Sequence, residues 1–458
     1  MPLDNNKIAD ERDVSTRTET FMAATTDPLD DIANAMTGSL VEAQGLHAGY
    51  TYLGQFISHD IVRVTNPQPG QPLHLATPVL DLDSVYGATP GEVPHIVDDR
   101  FVLGSNGDDL QRIDGVAQIP DPRNDDNVIV SQLHLFMQRF HNFTIDQGYA
   151  ADAAAARKLV TLVFQLVVVE DFLRQILAPP VFESYFRFDR RWLQFDPSRV
   201  PPDFSHAAFR FGHSMVRPRY KGFPRASTVA ITELFQGGHN LPADLVIDWR
   251  HFFGWPGMRE PPSPTSVPAQ LAARIDHIIS DDMRKIATPH GVVDVVRKNL
   301  DAGAKLRKGI RYTNDVLDST NGRAIQSALA LVPLQNLAAA PELARAEISL
   351  AELPLWPYLL VEAVHASDGV HLGVLGSMIC AEVLANSIAK APTTIYRGRW
   401  PSVDEVLTEL GGLGEALQEV RRSAAAGSRT TFSDRTFCMR HLIELVPGKN
   451  PTTQGANP

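Results

Sequence analysis

Apolar residues recur at three- and four-residue steps over long stretches of this chain, the spacing of helices that bury one face. In 129–143 the positions Val130, Leu133, Phe136, Met137 and Phe140 follow it. The run from Ala153 to Ala178, built on Leu159, Leu162, Val163, Leu166 and Val167, predicts a long helix that Pro179 and Pro180 end. Residues 269–284, 292–307, 356–366 and 373–390 predict further helices by the same spacing. Strand-like alternation is short and scattered. The expected fold class is mainly α, a single large helical domain with few short strands.

The polar stretch 1–20 reads as a flexible N-terminal arm, and the Pro-, Gly- and Asn-rich 447–458 as a flexible tail. Between them, 21–446 reads as one domain, without internal repeats or a Gly/Ser linker. The clearest interruption, WPGMREPPSPTSVP at 255–268, suits a surface loop.

Composition narrows the function classes. With 458 residues and 44% hydrophobic content the chain can bury a large core. A formal charge of −11 speaks against nucleic acid or an anionic membrane as partner. Only Cys380 and Cys438 occur, so no disulfide framework is expected, and two buried thiols suit the chain better than one bridge. The first residues lack an apolar core behind a basic start, so a Sec-type signal is not expected. Gln165, Glu170, Asp171, Arg174 and Gln175 interrupt the apolar run 159–177, which suits a core helix better than a membrane span. A cytoplasmic location is the default expectation, with leaderless secretion left open.

Five segments carry candidate chemistry. In GQFISHDIV (54–62), Gln55 and His59 lie four apart and share one helix face. In TPVLDLDSVYG (77–87), Thr77, Asp81, Asp83 and the Val79 carbonyl offer hard oxygen donors of the kind calcium takes, although an ordinary turn would use the same residues. In IPDPRNDDN (119–127), Arg123 is either a helix-entry ion pair or a fixed charge aimed into a cavity. In AFRFGHSMVRP (207–218), Gly212-His213-Ser214 begins like a hydrolase nucleophile elbow. Val216 stands where its last glycine belongs, and no apolar strand precedes it. His213 is instead a candidate metal or haem ligand, with Arg210 beside it, or a core histidine. In VVRKNLDAG (295–303), Asn299 is a polar residue on an amphipathic helix and needs partners, one of which would be the outer nitrogen of a metal-bound imidazole.

In order and spacing these segments resemble the animal haem peroxidase (peroxidase–cyclooxygenase) superfamily over about 45–390. That family shows a G-Q-x-x-x-H-D segment and an aspartate-bearing V-Y-G loop. An arginine before an H-N helix (here Phe140-His141-Asn142-Phe143), an R-[FY]-G-H segment and a later asparagine follow. PLWPYLLVEAVHASDGVHLGVLGSMICAEVLANSI also resembles the C-terminal helices of bacterial members. The resemblance implies haem b as cofactor with His213 as proximal iron ligand, Arg210 paired with a propionate, and Asn299 accepting from the outer imidazole nitrogen. It implies His59 as distal proton shuttle, Arg123 as fixed positive charge and Gln55 as a cavity residue. It also implies a structural calcium ion held by Asp60, Thr77, Val79, Asp81 and Asp83, tying two remote segments together.

Departures from the family pattern bear on the cofactor. Ser58 and Asp126 stand where mammalian members carry an aspartate and a glutamate esterified to haem, so a covalent link is at most single and through Asp126. Asn127 replaces the methionine that makes an extra haem bond in one member, and no C-x-x-C-H occurs. Ala302 and Lys305 stand where relatives often have arginines. The implied activity is reduction of hydrogen peroxide with oxidation of a small donor such as halide, thiocyanate or a phenol. One alternative is a fatty-acid dioxygenase of the same superfamily, whose tyrosine lies three residues before the proximal histidine, where this chain has Arg210. The other is a haem-binding protein without turnover, which would have no use for Gln55, His59 and Arg123 together.

Overall fold

The computed structural model describes residues 27–62, 77–87, 95–224, 228–235, 237–255, 268–288, 291–427 and 437–446. The arm 1–20, the tail 447–458 and all but the ends of the loop 255–268 lie outside the described residues.

The architecture is mainly helical, with five two-stranded antiparallel sheets among the described residues. Buried apolar side chains form one continuous cluster from Ile32 to Val446. The helix Val128–Asp146 covers the expected 129–143; it starts where the Asn127 side chain accepts from the Val130 amide and satisfies a donor the first turn leaves over. It packs against the helices Gly49–Ile61 and Ala153–Val167. The last of these begins at Asp152, whose side chain accepts from Ala155 N, and continues through a wide π turn at Val168–Leu173 to Ile176. That turn carries the buried Asp171, which accepts from the Tyr50 hydroxyl at 2.6 Å and from Met439 N at 2.8 Å. The π turn therefore ties the helix Gly49–Ile61 to the C-terminal segment. Beyond Ile176 the chain turns extended, and Pro179 and Pro180 open a new helix, Pro179–Phe186, as they end the old one.

The helices Leu355–Ser367 and Val374–Ala389 match 356–366 and 373–390. Residues 269–284 do not form the expected helix. Leu271–Ala273 pairs as a strand with Glu42–His47, and Asp276 then accepts from Ile278 N and from Arg274, bending the chain before a short 3-10 turn at Asp281–Arg284. Tertiary pairing and an aspartate turn override the apolar spacing. Of 292–307 only Val295–Gly303 is α-helix, capped by Asp294, because Gly291–Val293 pairs with Ile286–Thr288. Cys380 and Cys438 are buried and unbridged. Among the described residues no helix is long and apolar enough to cross a membrane.

Candidate active site

A cavity of about 1170 Å³ is lined by Gln55, His59, Thr77, Arg123, Asp126, Arg210, His213 and Asn299, with Tyr50, Tyr52, Phe209, Lys298 and others completing the wall. Four of the five candidate segments thus bring catalytic or cofactor-binding candidates to one space, and Thr77 alone of the loop's named oxygen donors reaches it.

The helix Gly49–Ile61 supplies one group of these residues. It is polar on the face shared by Gln55 and His59 and apolar where Leu53, Phe56 and Ile57 enter the core. Phe172 sits so close to Gly54 that a Cβ there would lie 3.2 Å from its ring, which fixes how the helix seats on the π turn. The His59 Nδ1 lies 2.9 Å from Asn124 Oδ1, and Gln55 Oε1 accepts from Asn127 Nδ2 at 3.3 Å.

Arg123 lies on the 3-10 turn Pro122–Asp125, which starts where the Asp121 carboxylate accepts from Arg123 N. Its guanidinium donates to both oxygens of the fully buried Asp121 and, through Nη2 at 2.8 Å, to the His59 carbonyl. The sequence suggests either a helix-entry ion pair or a fixed cavity charge. Arg123 is both, and Asp121 partly neutralises the field it sends into the cavity.

His213 ends the 3-10 helix Ala208–His213, which packs against Gly49–Ile61 and Leu355–Ser367. Its Nδ1 is 3.1 Å from the Arg210 carbonyl, which also accepts from Trp356 Nε1 at 3.2 Å. Nδ1 meets an acceptor in this carbonyl and a donor in the Asn299 amide nitrogen at 3.0 Å; donation to the carbonyl leaves Nε2 its lone pair on a ring that lines the cavity, and acceptance from the amide places the hydrogen on Nε2. Burial, and then the Arg210 charge, push the His213 pKa down to about 4, so the imidazole is neutral at working pH, as a metal ligand must be.

Asn299 departs from the expected geometry. Its amide nitrogen, not its oxygen, faces His213 Nδ1 at 3.0 Å, while Oδ1 accepts from the Arg210 guanidinium. The donor-only guanidinium claims the oxygen first, and the Arg210 carbonyl takes over as acceptor for the imidazole. Arg210 also donates Nε to the Ser205 carbonyl at 2.9 Å. Asp126 opens on the cavity; desolvation, then the Asp121 charge, push its pKa up to about 7. Lys298, one residue before Asn299, adds a second cation to the wall. Ser214 is fully buried and donates to the Phe211 carbonyl at 2.9 Å, so it offers no nucleophile to this cavity.

The loop 77–87 meets the helix Gly49–Ile61 differently from the expectation. The fully buried Asp60 carboxylate accepts from Asp81 N, Leu82 N, Ser84 N and Ser84 Oγ, so it makes by itself the tie assigned to calcium. Asp83 accepts from Thr77 Oγ1 at 2.9 Å and pairs with Arg157 at 3.5 Å. Asp81 Oδ1 is buried without a hydrogen-bond partner, and burial together with Asp60 and Asp83 pushes that carboxyl up to about 8. Among the described residues no group of three or more His, Cys, Asp or Glu has metal-holding geometry.

Sequence reasoning missed Asn124, His134, Asp121 and Lys298. Asn124 and Asp121 look like ordinary turn residues, and His134 sits on an apolar helix face where a histidine reads as core.

The family model for animal haem peroxidase matches residues 55–285. Mouse thyroid peroxidase is 26% identical over 188 residues, covering 33% of this chain and 20% of that protein, so the match spans about a fifth of the relative's length. Peroxidase A from Dictyostelium discoideum shares the fold with a TM-score of 0.55 at 15% identity, covering 91% of both chains. The fatty acid alpha-dioxygenase of Oryza sativa shares it at 0.58 and 14% identity, covering 90% of this chain and 81% of that one. With a family match over half its length, this chain belongs to the animal haem peroxidase family.

Proposed function

We propose that the chain is a haem peroxidase that reduces hydrogen peroxide while oxidising a small donor of halide, thiocyanate or phenol type. The observation that carries the proposal is one cavity joining His59, Gln55 and Arg123 to a neutral His213 whose Nδ1 is already engaged.

The residues fit haem b. His213 Nε2 would take the iron, and Arg210 and Lys298 would meet the porphyrin carboxylates. Asn299 holds Arg210 in place. Asp126 is the one carboxyl of the pair discussed above that remains for a covalent link. Bound haem would supply the redox chemistry that accepts oxidising equivalents from peroxide and hands them to the donor. His59 takes a proton from hydrogen peroxide through Nε2 and returns it to the departing oxygen, which leaves as water. Arg123 stabilises negative charge as the O–O bond breaks, and its bond to the His59 carbonyl keeps the two groups in register. Gln55, held by Asn127, lines the space beside them.

Calcium is proposed at Asp81, Asp83, Thr77 and the Val79 carbonyl, without Asp60, whose two carboxylate oxygens are taken by the loop's own N–H and O–H donors; the support is Asp81 Oδ1, a buried oxygen without a partner beside two more carboxylates.

Lipid oxidation is the competing activity, because the same fold serves fatty acid alpha-dioxygenases. It needs a redox-active tyrosine. Tyr50 and Tyr52 line the cavity, while position 210 carries arginine.

The deciding experiment expresses the chain with haem supplementation and follows its spectrum and its consumption of peroxide with halide, phenol or fatty acid present. A Soret band that shifts with peroxide, and donor oxidation without oxygen uptake on fatty acid, support the proposal. Oxygen uptake driven by fatty acid would replace it with the dioxygenase.

A further inference from the structure

Two consecutive residues of the turn Pro122–Asp125 grip the distal histidine: Arg123 holds its backbone carbonyl and Asn124 its ring. Asn124 is fully buried and so is His134, whose Nδ1 lies 3.1 Å from Asn124 Nδ2. The three side chains come from the helix Gly49–Ile61, the turn and the helix Val128–Asp146, and they form a line: His59, Asn124, His134.

The direction of that line has chemical content. An amide presents an accepting oxygen and a donating nitrogen of nearly the same shape, and only its partners decide which end faces which way. With Oδ1 on His59, the His59 hydrogen sits on Nδ1 and Nε2 is the accepting nitrogen. With the amide reversed, Nε2 would carry the hydrogen and could not accept one. The two rings and the amide choose together: Asn124 turns its NH₂ end to His134 Nδ1, which accepts, and its oxygen to His59 Nδ1, which donates. Burial keeps the His134 ring neutral, its pKa pushed down to about 3, and a neutral ring that meets an NH₂ group through Nδ1 carries its own hydrogen on Nε2.

The arrangement is expensive as packing alone. Asn124 is the one hydrogen-bond partner of the His134 side chain among the described residues, and His134 Nε2 is buried without any. An apolar residue at 134 would avoid that cost.

We propose that Asn124 and His134 are positioning residues for His59: together they lock its ring hydrogen on Nδ1 and so keep Nε2 as the proton acceptor for peroxide. The inference rests on the peroxidase proposal for its use, but the tautomer itself is a property of the chain. In this respect Asn124 acts through an imidazole as a second group does in other acid–base pairs, by fixing the tautomer before reaction.

The test labels the full-length chain with ¹⁵N-histidine and records two-bond ¹H–¹⁵N correlations, both without cofactor and loaded with diamagnetic zinc protoporphyrin. His59→Gln and His134→Gln assign the signals. The wild type should show His59 hydrogenated at Nδ1 and His134 at Nε2. Asn124→Leu should give His59 a mixture of tautomers and slow the reaction of the haem-loaded protein with peroxide by about tenfold or more at unchanged haem content. Asn124→Asp, which keeps an accepting oxygen, should restore the Nδ1 tautomer. His134→Leu should again mix the tautomers, because the Asn124 amide is free to turn. If that variant fails to fold by circular dichroism, the wild-type spectrum and the Asn124 pair decide.

A wild-type His59 hydrogenated at Nε2 overturns the proposal. So does a His59 signal indifferent to Asn124→Leu. Failure of the peroxidase reading appears elsewhere, as an absent Soret band beside an intact Nδ1 tautomer.

Discussion

Asp60→Ala tests the claim that the chain itself ties the loop 77–87 to the helix Gly49–Ile61. The lost carboxylate accepts four hydrogen bonds, from Asp81 N at 3.2 Å, Leu82 N at 2.9 Å, and Ser84 N and Oγ at 3.0 Å each. The site is fully buried. A buried donor left unpaired costs roughly 1–3 kcal/mol, and partial relief by water or by a shift of the loop brings the sum to about 3–5 kcal/mol. That places the substitution among the severe ones. Part of the loss is offset, because burying the carboxylate is itself costly: desolvation pushes its pKa up to about 7. Asn is no remedy, since its NH₂ would face amide hydrogens. The assay is chemical denaturation of both proteins in excess chelator, so that any bound cation is removed from the comparison, with hydrogen exchange at residues 81, 82 and 84. In a chain of 458 residues each kcal/mol moves Tm by only about 1 °C, so local exchange is the sharper readout. Unchanged denaturation midpoints together with unchanged exchange at those amides would refute the hydrogen-bond account of this joint.

Three further outcomes are expected. His59→Ala should keep its haem while stopped-flow reaction with hydrogen peroxide slows by about 10²–10⁴-fold; an unchanged rate removes His59 from the chemistry. Asp81→Ala should lower the calcium found by metal analysis of the dialysed protein, and equal calcium in both proteins argues against the proposed site. Glu362 is buried and accepts from Leu375 N at 2.8 Å and Gly376 N at 3.1 Å where the helix Val374–Ala389 begins, and burial raises its pKa from 4.5 to about 7. A raised folded pKa means the native state keeps a proton the unfolded chain gives up, so this contribution is full below pH 4.5 and fades as pH rises to about 7. The stability gap between wild type and Glu362→Gln should therefore narrow by on the order of 3 kcal/mol over that window and stay flat above it. A gap independent of pH contradicts the buried-proton assignment.

The helices were legible in the sequence where one face stays buried along their whole length, as in 129–143, 356–366 and 373–390. Legibility failed where another strand claimed the segment, as at Leu271–Ala273, or where an aspartate turned the chain, as at Asp276. The π turn at Val168–Leu173 left no trace in the spacing, because one inserted residue within a continuous apolar run changes no pattern. The candidate site was legible as residue types at intervals: Gln55 and His59 four apart, His213 behind Arg210. The direction of side-chain hydrogen bonds was not. Asn299 turned its nitrogen toward His213 because Arg210 took its oxygen, and Asp60 spent its carboxylate on backbone amides of the loop. Asn124 and His134 carried no sequence signal at all, since a turn asparagine and a histidine on an apolar helix are both common without function.

The central claim is that His213 holds haem iron through Nε2. The most direct measurement is haem content by pyridine haemochrome, with the Soret spectrum, of wild type and His213→Ala expressed side by side with haem supplied. Near-stoichiometric haem in the wild type, and its loss or a shifted and weakened Soret band in the variant, is the predicted result. Equal haem content with an identical spectrum in both proteins would contradict it.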